Sequence, residues 1–199
     1  MKRNMTTKLD RLVAEVRGCR LCADALPLGP NPVLRVSRTA RVCIVGQAPG
    51  TKVHNSGIPW NDRSGDRLRE WLVMDRDGFY DQSKIAVVPT GFCYPGRDAN
   101  GGDLPPRREC APTWHARLFA LMPRVEIMLL VGSYAQAHYL GANRRRTMTE
   151  TVAAWRDYQP RFFPLPHPSW RNTAWLKANP WFATDVLPAL RRRVHALVD

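Results

Sequence analysis

The sequence predicts an α/β fold, a three-layer α/β/α sandwich around a mainly parallel four-stranded sheet. Three observations lead there. Short apolar runs near 40–45, 84–92, 125–132 and 161–166 read as buried strands. Segments with helical apolar spacing separate them. Polar, turn-forming stretches follow the strands, at the carboxyl ends where open parallel sheets collect their functional loops.

Taken in order, residues 5–18 place Leu9, Leu12, Val13 and Val16 on one helical face, with Thr6 or Thr7 as the cap. The helix runs into Cys19-Arg20-Leu21-Cys22, and a Pro-rich irregular stretch follows. The first strand spans 40–45, and 46–63 reads as one long loop. A helix begins near Ser64, with Leu68, Trp71 and Leu72 on one face. The second strand lies within 84–92. Residues 93–108 hold too many turn formers for a regular element. A helix over 109–122, a strand over 125–132 and a helix from Ser133 to Leu140 come next. The last strand, 161–166, delivers His-Pro-Ser-Trp-Arg-Asn, and a final helix covers 180–197. The whole, 1–199, is read as one domain.

The formal net charge of +13 points to a polyanionic partner, with nucleic acid foremost. No apolar run reaches the roughly 18 residues of a membrane helix. The basic N-terminal stretch lacks the apolar segment of a signal peptide, so a cytoplasmic protein is expected. Among the five cysteines, Cys43 sits mid-strand and reads as core. Cys19, Cys22, Cys93 and Cys110 remain, and four thiolates hold zinc or a [4Fe–4S] cluster. A thioredoxin-like use is disfavoured because a helix, not a strand, precedes the C-x-x-C pair. The wide spacing of the second pair favours iron–sulfur, with zinc as the alternative.

Gly46-Gln47-Ala48-Pro49-Gly50 after the first strand looks at first like a phosphate loop. It lacks the P-loop Lys and the dinucleotide glycine spacing, and Pro49 removes an N–H donor. With its neighbours it instead resembles the uracil-DNA glycosylase superfamily, nearest to the iron–sulfur families numbered four and five. Gly46–Gly50 is similar to the G-E-A-P-G motif of family four. Gly57-Ile58-Pro59-Trp60 resembles the G-R-P-F segment, whose aromatic ring stacks on the extruded base. Asp62-Arg63-Ser64-Gly65-Asp66 is similar to a G-D-x-S-G segment of family five. His167-Pro168-Ser169 matches the H-P-S/A motif, and the four cysteines fall where those families place cluster ligands. Two departures stand out. Ala48 occupies the position of the catalytic aspartate of family one, and Pro89-Thr90-Gly91-Phe92 lacks the asparagine usual after the second strand.

The resemblance implies hydrolysis of the N-glycosidic bond of uracil in DNA, with other deaminated bases also open. The base leaves the stack first, since its sugar bond is inaccessible in the duplex. His167 would donate to a uracil oxygen, and Gln47 and the backbone of its turn would face the base or a water. Asp62, or His54 with Asn55, would supply what Ala48 lacks, although Asp62 also suits an N-cap. Gly46, Ala48, Pro49, Gly50, Trp60, Thr90 and Ser169 would line the base pocket. Ser169, Trp170 and Arg171 would meet DNA, with a ring or guanidinium filling the gap left by the base. Arg107 and Arg108 would be held against phosphate, and the basic run at 143–150 reads as a solvated surface that can also track the backbone. A monomer is expected. The alternative is a non-catalytic DNA-binding or lesion-sensing module on the same fold.

Overall fold

The computed structural model describes residues 6–199; the start of the first helix expected at residue 5, and the basic residues before it, lie outside these. Helix α1 spans Lys8–Arg17 and starts at Thr7, whose side chain and that of Asp10 form a capping box. Strand β1 is Val42–Val45, β2 is Ile85–Val87, β3 is Ile127–Val131 and β4 is Phe162–Leu165. All four pair in parallel in the order β2-β1-β3-β4. The central sheet expected from the sequence is therefore present, with strands shorter than the apolar runs. In the second run, Pro89 has no N–H for a ladder and the chain leaves the sheet after Val87.

Every strand residue but Phe162 is buried, and alternation along each strand sorts side chains between two cores. On one face Val42, Ile44, Ile127, Leu129 and Phe163 pack with helix α3 (Arg63–Leu72) and the C-terminal helix α9 (Leu187–Val198). On the other face Cys43, Val45, Met128 and Leu130 pack with α1, α5 (Cys110–Ala120) and α6 (Ser133–Leu140). Helices on both faces of a parallel sheet make the three layers. Cys43 is fully buried, and that burial pushes its thiol up to about 12, as suits a core residue.

Four short helices were not legible in the sequence. Helix α2, Thr51–Ser56, interrupts the expected loop of 46–63 and buries only Val53. Helix α4, Arg76–Tyr80, is capped by Asp75, and α7, Met148–Ala153, by a Thr147–Glu150 capping box. Helix α8 is Thr173–Ala178. Each is too short to show a helical stripe. The basic run before α7 is partly paired, with Arg145 bonding Asp157 at 2.6 Å. The C-terminal helix opens with a π-type turn over Phe182–Val186. No described helix is long and apolar enough to cross a membrane.

Candidate active site

From β1 the chain crosses to β2 on one side, and β3 then adds on the other side of β1. The loops after β1 and β3 therefore diverge, and a crevice opens at their carboxyl ends. A cleft of about 710 Å³ lies there, lined by Gly46 to Val53, Trp60, Asp62, Asp103, His167 and Ser169 to Arg171 among others. The loops that follow β1, β2 and β4 converge there, the second contributing Pro89 to the lining.

The turn after β1 is held from behind. Thr90 is buried, and its hydroxyl lies 3.0 Å from the carbonyl oxygen of Gly46 and 2.6 Å from that of Gln47. The backbone N–H groups of Thr90 and Gly91 donate to the same two carbonyls, each at 2.9 Å. Thr90 is thus a staple under the turn and is not among the residues that line the cleft. The amide of Gln47 is also engaged: Nε2 donates to the carbonyl of Leu104 at 2.8 Å and, more weakly, to that of Asp103 at 3.4 Å. Ala48, Pro49 and Gly50 line the cleft as expected.

Trp60 closes over this turn. A Cβ on Gly46 would lie 3.0 Å from its Cζ2 atom, so glycine lets the ring approach. The Trp60 backbone is left-handed, with φ of 57°, a strained state for a bulky residue that its surroundings must hold. Gly65 accommodates the Trp60 carbonyl so closely that a Cβ there would overlap its oxygen. The buried Arg69 guanidinium donates to that carbonyl at 3.4 Å, and the Tyr80 hydroxyl donates to the Pro59 carbonyl at 2.9 Å. The ring is 9 % exposed, so it serves as a wall with a narrow open face.

His167 packs beside Trp60, 5.7 Å between ring centroids, and also lines the cleft. Burial holds its imidazole below the usual histidine range, and the Asp62 charge opposes that shift only in part. Near neutral pH the ring is uncharged, a donor rather than a cation. Its loop is fixed from several sides. Asn172 Nδ2 donates to the His167 carbonyl at 2.7 Å, and Arg67 donates to the Ser169 carbonyl at 2.9 Å. Behind it, the buried Gln136 amide donates to the Leu165 carbonyl at 2.9 Å. Ser169 Oγ accepts the Arg171 N–H at 3.2 Å and leaves its own proton free to donate. Trp170 projects from the same loop with 71 % of its surface exposed. The Arg171 guanidinium bonds the Gly101 carbonyl at 3.1 Å, so of the two wedge candidates Trp170 is the free one.

The carboxylates separate by what they already hold. Asp62 caps α3, its Oδ1 accepting the Gly65 N–H at 2.9 Å, so the N-cap role is realised although the residue also lines the cleft. His54 and Asn55 are not among the cleft-lining residues. The His54 ring lies 6.1 Å from that of Tyr94, and its carbonyl accepts from Asn31. Their helix turns them away, because α2 presents Thr51, Lys52 and Val53 to the cleft instead. Sequence reasoning missed Asp103, and also Lys52, Arg63 and Arg97, which with Arg171 give the cleft a basic rim. Their only signal was a place in turn-rich, charged stretches.

Cys19, Cys22, Cys93 and Cys110 come together on one small apolar cavity, far apart in sequence but facing the same space. Burial raises the thiols of Cys22 and Cys93, and pushes that of Cys110 up to about 12. The Phe92 N–H donates to Cys110 Sγ at 3.3 Å. Arg107 and Trp114 line the cavity too, and Arg107 Nε and Trp114 Nε1 are buried donors without partners. On its exposed side Arg107 pairs with Glu109 at 2.9 Å. Among the described residues no three His, Cys, Asp or Glu side chains stand close enough to share a single ion.

A cleft with an aromatic wall, a neutral imidazole and a basic rim is of the kind that receives an extruded base between phosphate contacts. A family model described as the Uracil DNA glycosylase superfamily matches residues 35–191. The chain belongs to that superfamily, and its role is of the DNA-glycosylase, DNA-repair type.

Proposed function

We propose that the protein excises uracil from DNA by hydrolysing its N-glycosidic bond, leaving an abasic site and an intact strand. The observation that carries this reading is that Trp60 and His167, in contact at 5.7 Å between ring centroids, both line the cleft at the strand ends. The flipped base enters along the open edge of the Trp60 ring. Cleavage leaves negative charge on the departing base and positive charge on the sugar. A neutral His167 donates to a base oxygen where that charge grows, and the cleft carboxylates face the sugar. Lys52, Arg63 and Arg97 at the rim meet phosphates. Trp170 enters the duplex where the base has left.

We read the four cysteines as ligands of a [4Fe–4S] cluster. Two features support the reading: the four thiols line one shared cavity, and the buried Arg107 Nε and Trp114 Nε1 donors beside it have no partner and could donate to cluster sulfides. When bound, the cluster supplies a covalent clamp on the Pro-rich and turn-rich loops and no step of the hydrolysis. Iron and sulfide analysis after anaerobic purification checks this. Iron retained by the native chain and lost in Cys93→Ser supports it, and a full complement of zinc contradicts it.

The activity is tested with an end-labelled uracil-containing oligonucleotide, treated with alkali after incubation. Cleavage at the uracil position supports the glycosylase. Binding without any alkali-labile product supports the lesion-sensing alternative.

A further inference from the structure

We propose that Asp103 is the catalytic carboxylate of this cleft, in place of the aspartate absent at Ala48; this rests on the glycosylase reading above. Asp103 sits at one end of a tight hairpin in which Arg97 and Asp103 pair antiparallel. The hairpin is set by its own sequence: Asp98 Oδ1 accepts the N–H groups of Asn100 and Gly102, both at 2.8 Å.

It is then docked from two sides of the cleft. From the turn after β1, Gln47 Nε2 holds the carbonyls of Asp103 and Leu104. From the loop after β4, Arg171 holds the carbonyl of Gly101. The same two loops carry the rest of the site, so the hairpin is positioned relative to both. Its placement also accounts for Gln47, whose side chain would otherwise be expected to face the base.

The carboxylate is directed at the gap left by the small residues of the turn. Oδ2 lies 3.6 Å from where a side chain at Gly50 would begin, beside Ala48 and Pro49. Among the described residues its nearest cation is Arg97, with Nε 3.8 Å from Oδ1. No hydrogen bond to the carboxylate is made by those residues, in contrast to Asp62, which is committed to the Gly65 N–H. Partial burial raises the carboxyl of Asp103, Arg97 and Arg171 lower it, and Asp62 and Asp98 raise it. A raised carboxyl so placed is a better base than a free aspartate.

In the reaction, a water oxygen forms the bond to C1′ as the C1′–N bond breaks and its electron pair leaves with the base. Asp103 takes the proton that the water loses. The base anion, held by His167, takes up a proton from solvent on release. The products are the free base and a hydroxyl on C1′ of the abasic sugar.

The bland role for Asp103 is to cap α2, whose first residue follows Gly50 without a side-chain cap. Asparagine caps as well as aspartate does, so Asp103→Asn separates the two. Single-turnover excision, Kd for uracil-containing DNA and melting temperature are measured together. The proposal expects excision to fall by about 10²-fold or more with Kd and melting unchanged, and Asp103→Glu to recover part of the loss. Excision within about threefold of the native rate overturns it, since general base catalysis is worth more than that. So does a parallel loss of binding or melting temperature, which assigns Asp103 to the hairpin alone. Absence of excision by the unaltered chain would instead overturn the glycosylase reading itself.

Discussion

Trp60 and His167 pack against each other in the wall of the cleft, their ring centroids 5.7 Å apart and their planes inclined by 34°. The imidazole makes no ion pair among the described residues, and its burial favours the uncharged ring. His167→Ala is expected to lower single-turnover excision by about 10²–10³-fold, the usual cost of one donor to a developing anion. The neutral ring must persist for this role. Because burial lowers its proton affinity, the loss of rate attributable to its protonation falls below pH 6.5, the ordinary histidine value. A pH–rate profile of the native chain checks this. A histidine-dependent limb above that value contradicts it.

Gly65 holds Trp60 in place by having no side chain. A Cβ at Gly65 would overlap the Trp60 carbonyl, and backbone cannot swing away as a flexible side chain can. Gly65→Ala is therefore expected to destabilise the protein by roughly 3 kcal/mol or more, or to force the Trp60 corner open with loss of excision. Urea denaturation of the variant measures the first outcome. A variant as stable and active as the native chain contradicts the geometry.

His115 is 4 % exposed and ties the second strand's exit to two helices. Its ring lies 2.6 Å from the Tyr139 hydroxyl and 3.1 Å from the Pro89 carbonyl. Burial takes its pKa from 6.5 to about 4, with the Pro89 carbonyl opposing and His138 adding to the shift. The unfolded chain binds a proton below pH 6.5 that the folded chain refuses. Stability is thus lost as pH falls from 6.5 towards 4, by roughly 3 kcal/mol from this residue. His115→Gln is expected to be less stable at pH 7 but to flatten that dependence, measured by urea unfolding at several pH values. An unchanged slope contradicts the assignment.

Among the described residues Trp170 is the most exposed large apolar side chain, at 71 %. Its removal leaves no cavity, so Trp170→Ala is expected to melt within about 0.5 kcal/mol of the native chain. Excision from duplex DNA should drop, while excision from a single strand, where no stack needs filling, should hold. Equal losses on both substrates contradict the wedge role.

The sheet was legible in the sequence because all four strands are buried on both faces and read as continuous apolar runs. The four cysteines and His167 were singled out from residue type, strand-end position and the family resemblance, and the structure gathers the cysteines at one cavity and sets His167 in the cleft. The bonds that Thr90 and Gln47 make were not legible, since their side chains turn to backbone carbonyls that only the folded chain brings near. His54 and Asn55 were misplaced because six residues that read as loop coil into α2, and a helix turns successive side chains to different faces. Asp103 was invisible for a related reason. Its distance to Gly50 is created by a hairpin docking between two loops far apart in sequence, and no local pattern encodes that.

The central claim is base release by hydrolysis, and mass spectrometry of a single-turnover reaction tests it most directly. The account predicts free uracil and one unbroken oligonucleotide lighter by the base and heavier by a hydroxyl. An oligonucleotide bound but unchanged in mass, or one cut at the uracil site without alkali, would contradict it.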